Sequence, residues 1–258
     1  MSFKSKIIKL WTRLENLIFV NHGCLACRKE IADGSEFSLC ENCMKNLDEI
    51  SRNICSICGE RVLQDNKLCD NCKTLKYNFD QSRSFAYYSD IESKIIKRFK
   101  YSSKKYYAEY IARLMAKNKE YFEGVEYLTF VPIGVKRRSE RGFNQAEEIA
   151  LCLGKIFNIP VVDIFKKIGS ERHQAGLSQK ERQDNLSGTI VLRDGLELEV
   201  KGKVIMIIDD VFTTGSTLSE CAKVIKAGKA NKPKKILCYT FAKTIFYSTN
   251  NSEKQQNN

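Results

Sequence analysis

Long apolar runs are missing from this chain of 258 residues, and with them any stretch able to cross a bilayer as a helix. Phe3 to Val20 comes nearest, but Lys4, Lys6, Lys9, Arg13 and Glu15 interrupt it, so no secretory signal is visible. Histidine is scarce: His22 and His173 are the only two. Metal ligation therefore falls on cysteine, with His22 a spare ligand at most. Acid is in deficit, 31 Asp+Glu against 43 Lys+Arg, for a formal net charge of +12. That favours nucleic acid, an anionic membrane surface or a phosphorylated substrate as partner, without choosing among them.

What the chain has in plenty is cysteine. Eight of its 11 cysteines form four CxxC turns: Cys24 and Cys27, Cys40 and Cys43, Cys55 and Cys58, Cys69 and Cys72. Each turn offers two thiolates, and two turns complete a tetrahedral S₄ site, so two zinc ions are expected. Similar spacing within each half favours consecutive pairing, while an interleaved pairing stays open. The segment is too short to bury much core, so metal would supply much of its folding free energy. Thiolates on metal fit a reducing cytoplasm better than a disulfide scaffold. Cys152, Cys221 and Cys238 lie in apolar segments and read as core.

The stretch around which the rest is organised is KVIMIIDDVFTTGSTL, Lys203 to Leu218. Val204 to Ile208 reads as a strand buried on both faces. Asp209 and Asp210 follow, then the polar turn Thr213, Thr214, Gly215, Ser216 and Thr217, then a helix from Leu218 to Lys229. Backbone N–H groups at a helix N-terminus, with hydroxyls beside them, suit a phosphate. Gly215 lets the backbone approach closely. Two carboxylates suit a ribose diol, or a Mg²⁺ carried by a diphosphate.

Other segments fill in the order. Phe3 to Phe19 has helical apolar spacing with a basic face: a helix packed on the protein, or one lying on an anionic membrane. Residues 73 to 80 read as a linker. Phe85 to Tyr88 reads as a strand, and Ile91 to Phe99 and Tyr106 to Ala116 read as helices. Between these helices, KRFKYSSKKYY interleaves basic and aromatic residues, which either hold single-stranded nucleic acid or pack as core. Leu128 to Ile133 is a strand leading into the loop GVKRRSER, Gly134 to Arg141, where Lys136, Arg137, Arg138 and Arg141 suit a highly charged anion. A helix opens at Gly142 and runs through Phe157. Asn144 and Gln145 are placed to orient the loop. Val161 to Phe165 and Ser187 to Leu192 are strands. Between them, Gly169 to Leu186 is long, polar and unperiodic, as a closing lid would be. Lys235 to Phe241 is the last strand.

The DD…TTGST stretch resembles the phosphoribosyl-diphosphate (PRPP) binding motif of type I phosphoribosyltransferases. VPxxxxRRxxRGFNQ from Val131, Leu177-Ser178, Arg182, Asn185-Leu186 and Lys100-Tyr101 narrow the resemblance to the ComF family of competence proteins. The resemblance implies a type I phosphoribosyltransferase-like α/β fold, a mostly parallel sheet flanked by helices. It implies that Thr213 to Thr217 hold the 5-phosphate, that Asp209 and Asp210 meet the ribose, and that the basic loop binds diphosphate with Mg²⁺. Arg182, with Arg172 and Lys180, would reach the leaving diphosphate from the lid. His173 has no role in the family and reads as solvated.

The expected organisation is a helix over residues 1–20, a double zinc ribbon over 21–75, a phosphoribosyltransferase-like part over 80–247 and a disordered tail over 248–258. The expected role is PRPP binding in the handling of single-stranded DNA during natural transformation. Partners would be competence proteins such as a DNA translocase, at a cytoplasmic or peripheral inner-membrane location. A metabolic phosphoribosyltransferase with structural ribbons, and a noncatalytic PRPP-sensing adaptor, remain open beside it.

Overall fold

The computed structural model describes residues 23–31, 37–64, 67–101, 104–168, 188–193, 200–227 and 232–245. The expected N-terminal helix, the lid with Arg172, His173, Lys180 and Arg182, the tail and His22 lie outside these residues.

Among the described residues, four strands make the main sheet: β1 (Gln81–Tyr87), β2 (Tyr127–Phe130), β5 (Val204–Phe212) and β6 (Lys235–Lys243). Their order is β1-β6-β5-β2, with every pairing parallel. A separate antiparallel pair joins β3 (Phe165–Lys167) to β4 (Ile190–Leu192). The mostly parallel α/β sheet expected from the sequence is therefore present.

Alternation along the central strands explains the layering. Met206 and Ile208 of β5 and Tyr239 and Phe241 of β6 face one cluster. It is completed by α3 (Asp90–Tyr101), α4 (Tyr107–Met115) and α6 (Gln145–Phe157). Ile205 and Ile207 of β5 and Ile236 and Cys238 of β6 face the other. That cluster is completed by α7 (Ser216–Lys226) and the β3–β4 pair. Strands with apolar side chains on both faces read as unbroken apolar runs, which is why β5 and β6 are so plain in the sequence.

The cysteine-rich part packs directly on this sheet. Cys24, Leu25, Ala26, Leu39 and Cys43 join the first cluster. Cys55, Cys58, Cys69 and Cys72 join the second. The segment between the two halves runs antiparallel along β1: Ile50 N–H donates to Phe85 O at 2.9 Å and Tyr87 N–H to Asp48 O at 2.8 Å. Further along the same edge, Ser82 N–H donates to Ile57 O at 2.7 Å. The edge beyond β2 is bridged as well, at Leu128 and Val161.

Three expectations are corrected here. The loop 134–141 contains a helix, α5 (Val135–Arg141), which buries none of its residues and so carries no apolar periodicity to announce it. Strand β5 does not stop at Ile208 but continues to Phe212, because β6 keeps pairing with it through Asp209↔Thr240 and Val211↔Ala242. The segment expected to be a linker is partly ordered as α2 (Asp70–Thr74) and then packs on α7.

Candidate functional site

The eight CxxC thiols gather into two groups, Cys24, Cys27, Cys40 and Cys43, and Cys55, Cys58, Cys69 and Cys72. Within each group the sulfurs lie within 4.8 Å of one another. This is the consecutive pairing. The closest sulfurs stand 3.6 Å apart at Cys27 and Cys40, and 3.5 Å apart at Cys58 and Cys69. Four sulfurs about 2.3 Å from a zinc ion in tetrahedral array would be roughly 3.8 Å apart, so both groups fit a structural zinc site. The two halves repeat one local design. The first knuckle of each closes through a residue at positive φ, Arg28 or Gly59. The second knuckle opens a five-residue helix, α1 (Glu41–Lys45) from Cys40 and α2 from Cys69.

The second site lies where the parallel strands end. In β2 and β5, Phe130 pairs with Ile208, and Val131 N–H donates to Ile208 O at 3.0 Å. The basic segment after β2 leaves the sheet beside Ile208, and β5 runs on along β6 to Phe212 before the polar turn begins, so both segments follow the carboxyl ends of neighbouring parallel strands, where ligands collect in such sheets. Being consecutive in a strand, Asp209 and Asp210 project to opposite faces. Asp210 turns to the α3 side, where its Oδ2 is 2.7 Å from Lys100 Nζ and its side chain keeps 13% exposure. Asp209 turns to the α7 side, where it is half-buried, and accepts from Asp210 N–H at 2.8 Å. Burial, and then the negative charge of Asp210, push the Asp209 carboxyl up to about 8. Burial also disfavours the charge on Lys100, but Asp210 and Asp209 outweigh it and hold the ammonium above its ordinary range. The positive charge of Arg141, at the end of α5, acts weakly against the charge on Lys100.

The turn is built on aromatic rings. Gly215 has φ +74°, and a Cβ there would lie 2.5 Å from Phe212 Cζ and 3.0 Å from Tyr77 Cε1. Glycine is thus required by the backbone angle and by the rings behind it. Thr214 and Ser216 are buried, their hydroxyls 2.8 Å apart, and Thr213 is exposed. Gly215 is the N-cap of α7 and no side chain caps it. Lys136, Arg137 and Arg138 are exposed on α5, with Arg138 3.3 Å from Glu147. Arg141 donates to Gln145 Oε1 at 3.1 Å. Asn144 caps α6 and donates to Val131 O at 2.9 Å, fixing the segment after β2 from within.

The basic-aromatic stretch resolves mainly as core: Phe99 and Tyr107 are buried and stacked, and Phe99 packs on Phe143. Tyr101 alone of its described aromatics is well exposed, at 77%. Sequence reasoning did not find Lys100 as the partner of Asp210. Nor did it find Tyr77, Asn78 and Phe79, which support the turn from a segment that has no periodicity. The only available signal was two aromatics placed just after the last CxxC. None of the described helices is long and apolar enough to cross a membrane.

Residues 14–73 match the family described as Double zinc ribbon domain. The chain is 29% identical over 215 residues to Competence protein F of Haemophilus influenzae, covering 81% of this chain and 92% of that one. It is 28% identical over 204 residues to Competence protein ComFC of Bacillus subtilis, covering 74% and 80%. A purine phosphoribosyltransferase structure from Pyrococcus horikoshii aligns at 21% identity and a TM-score of 0.32, over 52% of this chain and 80% of its own. The chain thus carries a double zinc ribbon segment and is similar along most of its length to two proteins named for competence.

Proposed function

We propose that this protein binds PRPP, with Mg²⁺ on its diphosphate, at the carboxyl edge of β2 and β5. The observation that carries the reading is that β2 and β5 are parallel neighbours, so the basic segment and the hydroxyl-lined start of α7 both follow the carboxyl ends of adjacent strands. Thr213, Thr214, Gly215, Ser216 and Thr217 take the 5-phosphate on the N–H groups opening α7. Asp209 and Asp210 accept from the ribose hydroxyls, one from each face of the sheet, with Lys100 yielding its hold on Asp210. Lys136, Arg137, Arg138 and Arg141 offset the diphosphate charge, and Arg182 approaches it from the lid segment. Mg²⁺ would neutralise diphosphate oxygens, and the acid pair fits it better as a second contact, since burial and Asp210 disfavour the charge on Asp209. In a transfer reaction a nucleophile bonds to ribose C1 while the C1–O bond breaks and diphosphate departs with the electron pair. The protein's part is to position and stabilise that departing charge.

The role we assign is in handling incoming single-stranded DNA during natural transformation, supported by the names of the curated relatives and by the net charge of +12. A noncatalytic reading, with PRPP as a signal passed to the zinc ribbons, is favoured by one observation: Tyr77 joins the second ribbon to the turn. Isothermal titration tests the common element. Wild-type protein takes up PRPP, and Asp209→Ala with Asp210→Ala abolishes the heat. Unchanged affinity in the double variant overturns the assignment. A screen of nucleobases for diphosphate release then separates enzyme from sensor.

A further inference from the structure

Tyr77 follows the last cysteine of the second tetrad by five positions. Its ring stacks on Phe79 at 4.7 Å and meets Phe212 edge-on at 6.3 Å. Its hydroxyl donates to Thr214 O at 3.1 Å, inside the turn itself. Asn78 donates through its backbone N–H and its side-chain amide to Ser219 Oγ, at 3.0 and 3.1 Å, holding the first turns of α7. A second route runs from the other side of the same ribbon. Lys243 is fully buried, 3.4 Å from Glu60 Oε2 and 3.8 Å from the centre of the Phe212 ring. The first tetrad makes a different connection: it packs on α3, where Arg98 donates to Leu25 O at 2.7 Å.

From these contacts we infer that Tyr77 is a positioning residue for the turn 213–217, and that the second cysteine tetrad, not the first, holds it in place. Four thiolates on one ion fix where Cys72 ends; the short path from Cys72 then fixes Tyr77. The Tyr77 and Phe212 rings in turn leave the turn a single conformation, the one with glycine at 215. Metal in the second ribbon thereby organises a site that it does not touch. That the organised site takes PRPP rests on the function proposed above; the mechanical link does not.

Two measurements keep the link and the ligand separate. Hydrogen exchange of segment 213–220 reads the turn directly, and PRPP titration reads the site. Tyr77→Ala and Cys69→Ser speed exchange in 213–220 and weaken PRPP binding about tenfold or more. Cys27→Ser also removes a ligand from one zinc site, but it speeds exchange in the first ribbon and not in 213–220. Tyr77→Phe keeps both rings and the tetrad and loses only the hydroxyl. It stays folded if Cys69→Ser does not, and it weakens PRPP binding about threefold. Exchange in 213–220 unchanged in Tyr77→Ala, or raised equally by Cys27→Ser, overturns the inference. Faster exchange in a protein whose wild type takes up no PRPP supports the link and removes the ligand instead.

Discussion

Gly215 sits where backbone angle, ring packing and ligand access meet. At φ +74° any other residue is strained, and the Phe212 and Tyr77 rings leave no room for a methyl group. Gly215→Ala is expected to cost about 2–4 kcal/mol in urea unfolding, from strain and overpacking together. Asp209 shows a different residue-level conflict. Its carboxyl is pushed up to about 8 from an ordinary value of 3.8, first by burial and then by Asp210. Between those values the folded protein keeps a proton that the unfolded chain gives up. The free protein is therefore most stable below about pH 4 as far as this group is concerned. It loses stability as pH rises towards 8, by at most about 1.4 kcal/mol per unit. Asp209→Asn flattens that slope, so thermal unfolding at pH 5 and pH 8 should separate wild type from variant chiefly at pH 8. Equal pH slopes in the two proteins exclude the shift.

At the scale of elements, what could be read in advance follows from burial. Strands β5 and β6 and helices α3, α4, α6 and α7 each bury a face or both, so their apolar spacing marks them in the sequence. Helix α5 buries nothing and was legible only as charge. The far end of β5 was hidden because carboxylates are uncommon in strands, whereas β6 supplies the pairing that carries the strand through them. The cysteine tetrads were legible to the ligand, because CxxC spacing is set by the metal's own geometry. Tyr77 was not, because its partners Phe212 and Thr214 are distant in sequence and no local pattern encodes the contact. Helix α3 has a similar long-range tie. Glu92 is fully buried and accepts from Asp48 N–H at 3.0 Å and from the Ser89 N–H and hydroxyl. Glu92→Ala leaves those donors unpaired next to β1 and is expected to destabilise by about 2–4 kcal/mol. Glu92→Gln, which can still accept, should cost less. Chemical denaturation of the two variants checks the order.

For the molecule as a whole, the ribbons are part of the sheet's architecture. They feed opposite layers, and the chain between them is hydrogen-bonded to β1. Protein purified without chelator is expected to carry about two zinc ions, by the four-thiolate rule. Metal analysis near zero would remove the ribbon assignment. Stripping both ions should release the 48–57 segment from β1. Size-exclusion profiles before and after chelation would then shift towards higher-order species, and restoring zinc early should reverse the shift. The reason lies in the bonds that Phe85 O and Tyr87 N–H now make within the chain. Bonds of this kind on one flank, with Leu128 bridged on the other, cover part of each outer strand that would otherwise be open to pairing with another copy. Zinc in the two tetrads would then protect the protein from self-association as well as hold its shape.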